Sequence, residues 1–399
     1  MLPSSLAAPG IIVLSWVLAL AWLRQAIEAL RGIPTLPDLT LLDASTLPLL
    51  PSADGPDLAV IVPARNEEDS IQATLRSLLA STGLRLEIIA VDDRSTDSTG
   101  ELMDAIAAEA TVGGRPHRLH VIHNRELPAG WMGKPHALSM GAERASAPWL
   151  LFTDGDVAFH PQALALALGF ALAEKTDHLV LKLTMPDMGN AETAVLMAIL
   201  ALAQWNNRLW KISDPRAKDF FGQGGFNLVR RDVYEALGGF EALRMEVTED
   251  LRLGWKVKRA GYRQRLVVGE GLASIRWMTG PLSIVGLLEK NTFAALRFRT
   301  GLALLATLGL ALHIVLPLAA LAMGGWATAA GLLTYVSIAL TYRAYKAPMW
   351  LAICFAPATA IFLFAIARST ILTLARDGVE WRGTRYPLEE LRRNAGRGW

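Results

Sequence analysis

Apolar residues run without a charge from 11 to 23 (IIVLSWVLALAWL), and 302–342 and 347–367 are almost free of charge. A helix crossing a bilayer takes about 20 apolar residues. Residues 302–323 and 347–367 therefore read as spans, 326–342 as a short one, and the first block as a span of borderline length. Between them the period changes. LAVIVPA (58–64), LEIIAV (86–91), RLHVIH (118–123) and WLLFT (149–153) have the length and content of strands. SIQATLRSLLAS (70–81), STGELMDAIAAEA (98–110) and KPHALSMGAERA (134–145) have helical spacing. Strands alternating with helices predict an α/β domain, Rossmann-like, with a mostly parallel sheet and helices on both faces.

Further along, LVLKLT (179–184) predicts a strand, and 191–210 a long apolar helix that suits either a core or a surface against a membrane or lipid chain. FGQGGFNLVRRDVYEALGGF (221–240) reads as a glycine-rich turn, a strand and a short helix. TEDLRLGWKVKRAG (248–261) reads as a helix with Thr248 as its N-cap and acids in its first turn. YRQRLVV (262–268) reads as a strand, and 282–300 as an amphipathic helix lying in a membrane interface. The predicted order is an anchor (1–31), a proline-rich linker (32–56), the α/β domain (57–280), the interfacial helix (281–300), C-terminal membrane helices (301–370) and a basic tail (371–399). No internal repeat is visible.

Composition sharpens this picture in three places. The chain has 399 residues, 52% of them hydrophobic, and a mean hydropathy of +0.31. The first apolar block has no basic residue before it, while Arg24 and Arg31 follow it. That order is the reverse of a signal peptide and predicts an uncleaved anchor with the next domain in the cytoplasm. The net charge of +2 says little about partners, and no nucleic acid is expected. Arginines gather at the membrane edges (Arg297, Arg299, Arg382, Arg385, Arg392, Arg393), as anionic headgroups favour. The single Cys354 lies in an apolar run, which excludes a disulfide framework and a cysteine metal site. Three spans after a cytoplasmic domain would place the arginine-rich tail outside. Either one block is re-entrant or interfacial, or the count of spans is wrong.

In parallel sheets ligands bind beyond the carboxyl ends of the strands. There the sequence places Arg65, Asn66, Glu67 and Glu68, then Asp92 and Asp93, then Asp154 and Asp156. Neither a dinucleotide fingerprint nor a P-loop precedes a helix. Asp154-Gly155-Asp156 directly after a strand suits a hard divalent cation that completes its shell with substrate phosphates; the alternative is a solvated turn. Acids after neighbouring strands repel one another unless something positive or hydrogen-bonding sits among them. Lys134 at a helix start is a candidate phosphate contact or a surface lysine. Glu249-Asp250 at another helix start suits either helix capping or a general base for a hydroxyl.

Together VIVPARNEE, AVDDRSTDST, LPAGWMGKPHAL, FTDGDVAFHP and TEDLRLGWKVKRAG resemble the membrane-bound family-2 glycosyltransferases of the GT-A fold. The order of anchor, catalytic domain and C-terminal spans is similar to the ceramide glucosyltransferase and hopanoid-associated branch. The resemblance covers about residues 55–300 plus the membrane layout. It implies that Glu67 and Asp93, or its neighbour Asp92, contact the nucleoside of a nucleotide diphosphate-sugar donor. It implies Lys134 near the donor, Asp154 and Asp156 on Mg²⁺ or Mn²⁺ at the diphosphate, and Asp250 as base. Glu249, Arg276 and Trp277 would then serve the acceptor. The related Q/R-x-x-R-W motif appears here as ASIRW, with Ala273 at its first position. VEWRGTRYP resembles a basic-aromatic segment that follows the spans in this branch, with Arg382 and Arg385 able to reach headgroups or donor phosphates. The implied reaction moves one sugar, with inversion, to a membrane lipid hydroxyl at the cytoplasmic face of the lipid bilayer. A processive polysaccharide synthase and a non-catalytic nucleotide-sugar sensor are the alternatives.

Overall fold

The computed structural model describes residues 4–43, 47–48, 55–112, 117–186, 188–277 and 279–395. They fall into two compact units. One is built on a seven-stranded sheet, the other on long helices.

The sheet unit starts with β1 (Leu58–Ala64), α2 (Ile71–Leu79), β2 (Leu86–Asp93), α3 (Thr99–Val112), β3 (Arg118–Asn124), α4 (Gly133–Arg144) and β4 (Trp149–Phe152). It continues with β5 (Val157–Phe159), α5 (Ala163–Ala173) and β6 (His178–Leu181), then β7 (Asn227–Arg230), α7 (Arg231–Ala236), α8 (Glu249–Arg259), β8 (Gln264–Val267) and β9 (Ala273–Ile275). Strand order is β3-β2-β1-β4-β7-β6-β8. β7 runs antiparallel to both neighbours, and the remaining pairs are parallel. The fold is GT-A.

Strand alternation explains the continuous apolar runs. Leu58, Val60 and Val62 join Leu86, Ile88 and Leu151 in one core with α2, α3 and α5. Ala59 and Ile61 join Ile89, Val91 and Leu150 in a second core with α4 and α8. A sheet buried on both faces needs apolar side chains at both parities. α4 approaches β1 so closely that a Cβ on Gly141 would lie 2.4 Å from Ile61 Cγ2.

The helical unit contains α1 (Ser4–Gly32), α6 (Asn190–Ala203), α9 (Ser283–Glu289), α10 (Asn291–Ala295), α11 (Thr300–Met323), α12 (Gly325–Ala344) and α13 (Phe355–Ala375). Among the described residues, three stretches are long and apolar enough to cross a membrane: Pro9–Thr35, Thr300–Met323 and Met349–Ala375. Val13, Leu14, Val17 and Leu20 of α1, and Leu304, Leu305, Leu308 and Val315 of α11, each keep more than half their surface open. Such a belt is unfavourable in water and at ease in hydrocarbon. Thr334, Ser337 and Thr341 of α12 return their hydroxyls to carbonyls four residues back, so these three groups need no water.

Several expectations change. α6 stops at Ala203 rather than 210 and packs against α12 and α13. The interfacial helix is two short pieces that meet at Lys290, and the second ends at Ala295, before Arg297 and Phe298 adopt left-handed backbone with φ of 56° and 53°. The linker is partly structured: α1 runs on to Gly32, Leu39 is buried, and its N–H donates to the Val268 carbonyl. Its residues 44–46 and 49–54 lie outside the described residues. Thr248 occupies the cap position of α8, but its hydroxyl makes no cap bond and is buried without a partner. The β5–β9 pair has no signal in periodicity, since three-residue strands are too short to show one. After α13 come β10 (Gly378–Trp381), β11 (Thr384–Pro387) and α14 (Leu388–Asn394), and from Glu380 onward the tail belongs to the sheet unit.

Overpacking at the α4–β1 contact is directly testable. Gly141→Ala is expected to destabilise the sheet unit by about 1–3 kcal/mol, measured as a fall in urea midpoint with unchanged slope.

Candidate active site

The first two loops at the carboxyl edge are stitched together. Asn66, at φ 55°, accepts the Thr96 N–H at 2.8 Å and donates its own N–H to Ser95 Oγ at 3.0 Å. The Glu67 N–H donates to Thr99 Oγ1 at 2.7 Å, which fixes where Glu67 starts. Successive strand residues face opposite ways, and Asp92 and Asp93 diverge accordingly. Asp92 pairs with His123 Nδ1 at 3.0 Å on the α3 side and accepts the Ser95 N–H. Asp93 is buried, takes a two-pronged contact from Arg94 at 2.9 Å and a hydrogen bond from Asn124 Nδ2 at 2.8 Å. Burial pushes Asp93 up, but Arg94 and Asn124 outweigh it and hold the carboxylate below its ordinary value.

The third loop leaves β4 through Thr153, whose hydroxyl donates to the Gly225 carbonyl at 2.8 Å. Thr74 Oγ1 donates to the Gly155 carbonyl at 2.9 Å. Gly155 sits where a Cβ would meet Ala64 Cβ at 3.3 Å, so the Asp-Gly-Asp turn rests on the end of β1. β5 follows Asp156 at once and pairs with β9, Val157 opposite Ile275. Continued by one position, that register sets Arg276 across from Asp156. Arg276 is exposed, and Trp277 is partly buried against the core of the sheet.

Lys134, in the first turn of α4, joins the distant pieces. Its Nζ lies 2.6 Å from Asp154 Oδ1 and 2.8 Å from Glu249 Oε1. Burial lowers the affinity of this amine for its proton, but Asp154, Glu249 and Asp250 prevail and raise it well above its ordinary value. It is charged at any physiological pH. Glu249 is buried and paired with Lys134. Asp250 is left with the Leu251 N–H at 2.7 Å as its one near donor among the bonds of the described residues. Burial first, then Glu249, push its carboxyl up to about 6, with Lys134 opposing.

Asp154 and Asp156 offer oxygen donors of the kind Mg²⁺ and Mn²⁺ take. Burial, then Asp154 and Glu67, push the Asp156 carboxyl up to about 7 even though the residue is open to solvent. The water that reaches it moderates that effect without reversing it. The cluster thus holds more negative charge than Lys134 neutralises, and a divalent cation fits the donor set. Among the described residues no three His, Cys, Asp or Glu side chains converge as a complete metal cage. Phosphate oxygens or water would complete the shell.

Residues 59–238 match the family model for Glycosyl transferase family 2. Over 239 residues it is 27% identical to a probable glycosyltransferase, YdaM, of Bacillus subtilis, an alignment covering 57% of this chain and 51% of the relative. Over 100 residues it is 36% identical to a 4,4'-diaponeurosporenoate glycosyltransferase of Staphylococcus haemolyticus, covering 25% and 24%. The chain thus spans about half, or less, of the length of these curated relatives. Its fold is similar to that of the mannosyltransferase PcManGT from Pyrobaculum calidifontis, solved with GDP-Man and Mn²⁺, at a TM-score of 0.54 and 19% identity, covering 90% of this chain and 99% of that one.

Two parts of the site escape sequence reasoning. The FGQGG loop is one. A Cβ on Gly224 would lie 2.6 Å from Asp154 Oδ2 and 2.9 Å from Lys134 Nζ, and one on Gly222 would lie 1.9 Å from the Asp250 carbonyl oxygen. These glycines let backbone pass between the two acid pairs. Their crowding in sequence was the available signal. The tail is the other. Met132, at the α4 cap position, has no capping side chain, and the Gly133 N–H donates to Tyr386 Oη at 3.2 Å instead. Tyr386 is buried, Arg65 Nη1 donates to Thr384 Oγ1 at 3.3 Å, and Arg382 pairs with Glu67. A segment some 250 residues away in sequence caps the helix that carries Lys134.

Loss of these tail contacts has a direct consequence. The double variant Arg382→Ala/Tyr386→Phe removes one part-exposed ion pair and one buried hydrogen bond, about 1–2 kcal/mol together. Trypsin cleavage at Arg385 is expected to accelerate by about tenfold while cleavage elsewhere in the sheet unit keeps its rate.

Proposed function

We propose that the chain is an inverting glycosyltransferase that moves one sugar from a nucleotide diphosphate-sugar to a lipid hydroxyl at the cytoplasmic face of a membrane. The observation that carries the proposal is the Lys134 ammonium held between Asp154 and Glu249. It supports a single site in which the acids for the leaving group and the acid next to Asp250 share one counter-charge. The name of the Staphylococcus relative, a diaponeurosporenoate glycosyltransferase, favours a lipid acceptor, as does the apolar belt of the helical unit. The layout also favours the lipid-modifying branch named above over chain extension.

The residues divide the work as follows. Glu67 and Asp93 hold the nucleoside, with Asp92 supporting Asp93's strand from its other face. Lys134 places a fixed positive charge beside the diphosphate. Asp154 and Asp156 would hold Mg²⁺ or Mn²⁺, which supplies charge neutralisation to the departing diphosphate. Asp250 takes the proton of the acceptor hydroxyl as that oxygen bonds to the anomeric carbon. The bond from the same carbon to the diphosphate oxygen breaks on the opposite face, and the nucleoside diphosphate leaves. Arg276 and Trp277 lie one and two residues beyond Ile275, where a cation and a ring can receive a polar headgroup.

The tail supports one topology. From Glu380 onward it belongs to the sheet unit, which favours both on one side of a bilayer with an even number of crossings between them. Among the described residues after the α/β domain, Thr300–Met323 and Met349–Ala375 are the two stretches that reach spanning apolarity. Two such crossings would keep the arginine-rich tail inside. Protease-protected epitope tags at the C-terminus and in the 81–84 turn should behave alike; protection of one alone sinks the arrangement.

The deciding experiment incubates the purified chain in detergent with UDP- and GDP-sugars and a bacterial lipid extract, followed by mass spectrometry of the lipids. Addition of a single hexose mass to one lipid class is expected, and a ladder of sugars would favour the processive synthase. Asp250→Asn should lower kcat by about 10²–10⁴-fold and leave donor affinity in place. The base must be ionised, and its carboxyl is raised to about 6. Activity should therefore be full above that pH and fall as pH drops through it. Donor binding followed by calorimetry should weaken on EDTA treatment and in Asp156→Ala; equal affinity in all three samples would remove the cation from the site.

A further inference from the structure

Beneath the FGQGG loop lies a polar network with no contact to solvent. His178, Asn227 and Gln264 are each no more than 2% exposed. They belong to three adjacent strands, β6, β7 and β8; His178 is paired in register with Gln264, and Asn227 with Val180. His178 Nε2 lies 2.9 Å from Asn227 Oδ1, and Gln264 Nε2 lies 2.7 Å from His178 Nδ1. An amide nitrogen can only donate, so Nδ1 is the acceptor and Nε2 carries the hydrogen. Burial lowers the histidine to about 4, in keeping with a neutral ring.

Buried polar groups are costly unless every partner is in place, and these partners are the backbone of the site. Gln264 Oε1 accepts the Phe221 N–H at 3.0 Å, and its nitrogen lies 3.0 Å from both the Phe221 and Gly254 carbonyls. One side chain thus ties the start of the FGQGG loop to the second turn of α8. Asn227 Nδ2 donates to the Asp250 carbonyl at 3.4 Å. Asn227 is also paired in register with Phe152, two residues before Asp154. At the other end of the loop, Thr153 Oγ1 holds the Gly225 carbonyl. The loop and the first turns of α8 are therefore pinned from below at Phe221, Gly225, Asp250 and Gly254.

We propose that His178, Asn227 and Gln264 are positioning residues that fix the Asp250 turn and the FGQGG loop relative to the Asp154 turn. The proposal rests on the reading of Asp250 as base, and it deepens that reading: these residues touch no substrate and set where the base stands. Side chains chosen only to fill a core would be apolar here. A network that reaches backbone carbonyls at Phe221, Gly254 and Asp250 and the Phe221 N–H fixes position rather than volume.

The test uses the full chain with Asn227→Asp and Gln264→Met. The first keeps the shape and the bond from His178, and turns the donor to Asp250 into an acceptor. The second keeps the volume and loses every bond to Phe221 and Gly254. Hydrogen exchange of amides 221–225 and 249–254 should speed up by about tenfold in both, with 58–64 and 86–93 unchanged. With the donor that the lipid assay identifies, kcat for transfer should fall by about a hundredfold, the usual consequence of misplacing a catalytic group by about 1 Å. Donor KM and slow hydrolysis of the donor by water should stay as in the parent. Unchanged exchange, exchange that rises evenly across the sheet, or kcat and donor affinity that fall in step would each overturn the proposal. Should Gln264→Met fail to fold, the isosteric Asn227→Asp decides. A parent chain inert towards every donor removes the functional reading, and the exchange measurement then decides the network by itself.

Discussion

One ammonium group holds the chemistry of this molecule together. Lys134 comes from α4, Asp154 from the turn after β4, and Glu249 from the first residue of α8. Three acids at one rim would drive each other apart or take up protons. Lys134, partly buried, places one positive charge between Asp154 and Glu249, and Asp250 beside Glu249 is left as the acid with a raised affinity for a proton. Burial, then Asp154 and Glu67, push Asp156 up as well, with Lys134 opposing. One acid pair is thus neutralised from within, and the other is left short of positive charge on the side where a metal and a diphosphate would bring it.

Much of the fold serves to bring that cation to its partners. α4 packs against β1 through Gly141, which fixes the helix axis, and Tyr386 caps its first N–H, which fixes its end. α8 is placed by glycines. Only backbone fits between Gly222 and the Asp250 carbonyl, and between Gly254 and the Phe221 carbonyl. The Asp-Gly-Asp turn is set on the end of β1 and held by Thr74 and Thr153. Lys134, Glu249 and Asp250 sit on helices and the Asp-Gly-Asp turn is tied down by hydrogen bonds, which suits chemistry that depends on fixed charges rather than on reorganising ones.

The tail gives the molecule an unusual economy. The segment after the last apolar helix closes on the sheet unit, where Arg382 meets Glu67 and Thr384 meets Arg65. A chain whose ends of the α/β domain are both bracketed by apolar helices gains a second covalent path back to the same site.

The sequence by itself determined the sheet, its parallel half and the acids at its rim, since apolar runs of both parities predict a doubly covered sheet and residues after such strands converge by topology. It also marked the apolar stretches at either end. It did not decide which acid does what. Asp92 and Asp93 look alike in a row but face opposite ways, and Glu249 and Asp250 are neighbours of which only one meets Lys134. Nor did it reveal the β5–β9 pair, the tyrosine cap or the buried histidine network. Each of these joins residues tens to hundreds of positions apart through one or two hydrogen bonds, with no periodicity to announce them, so only the packed tertiary structure could select them.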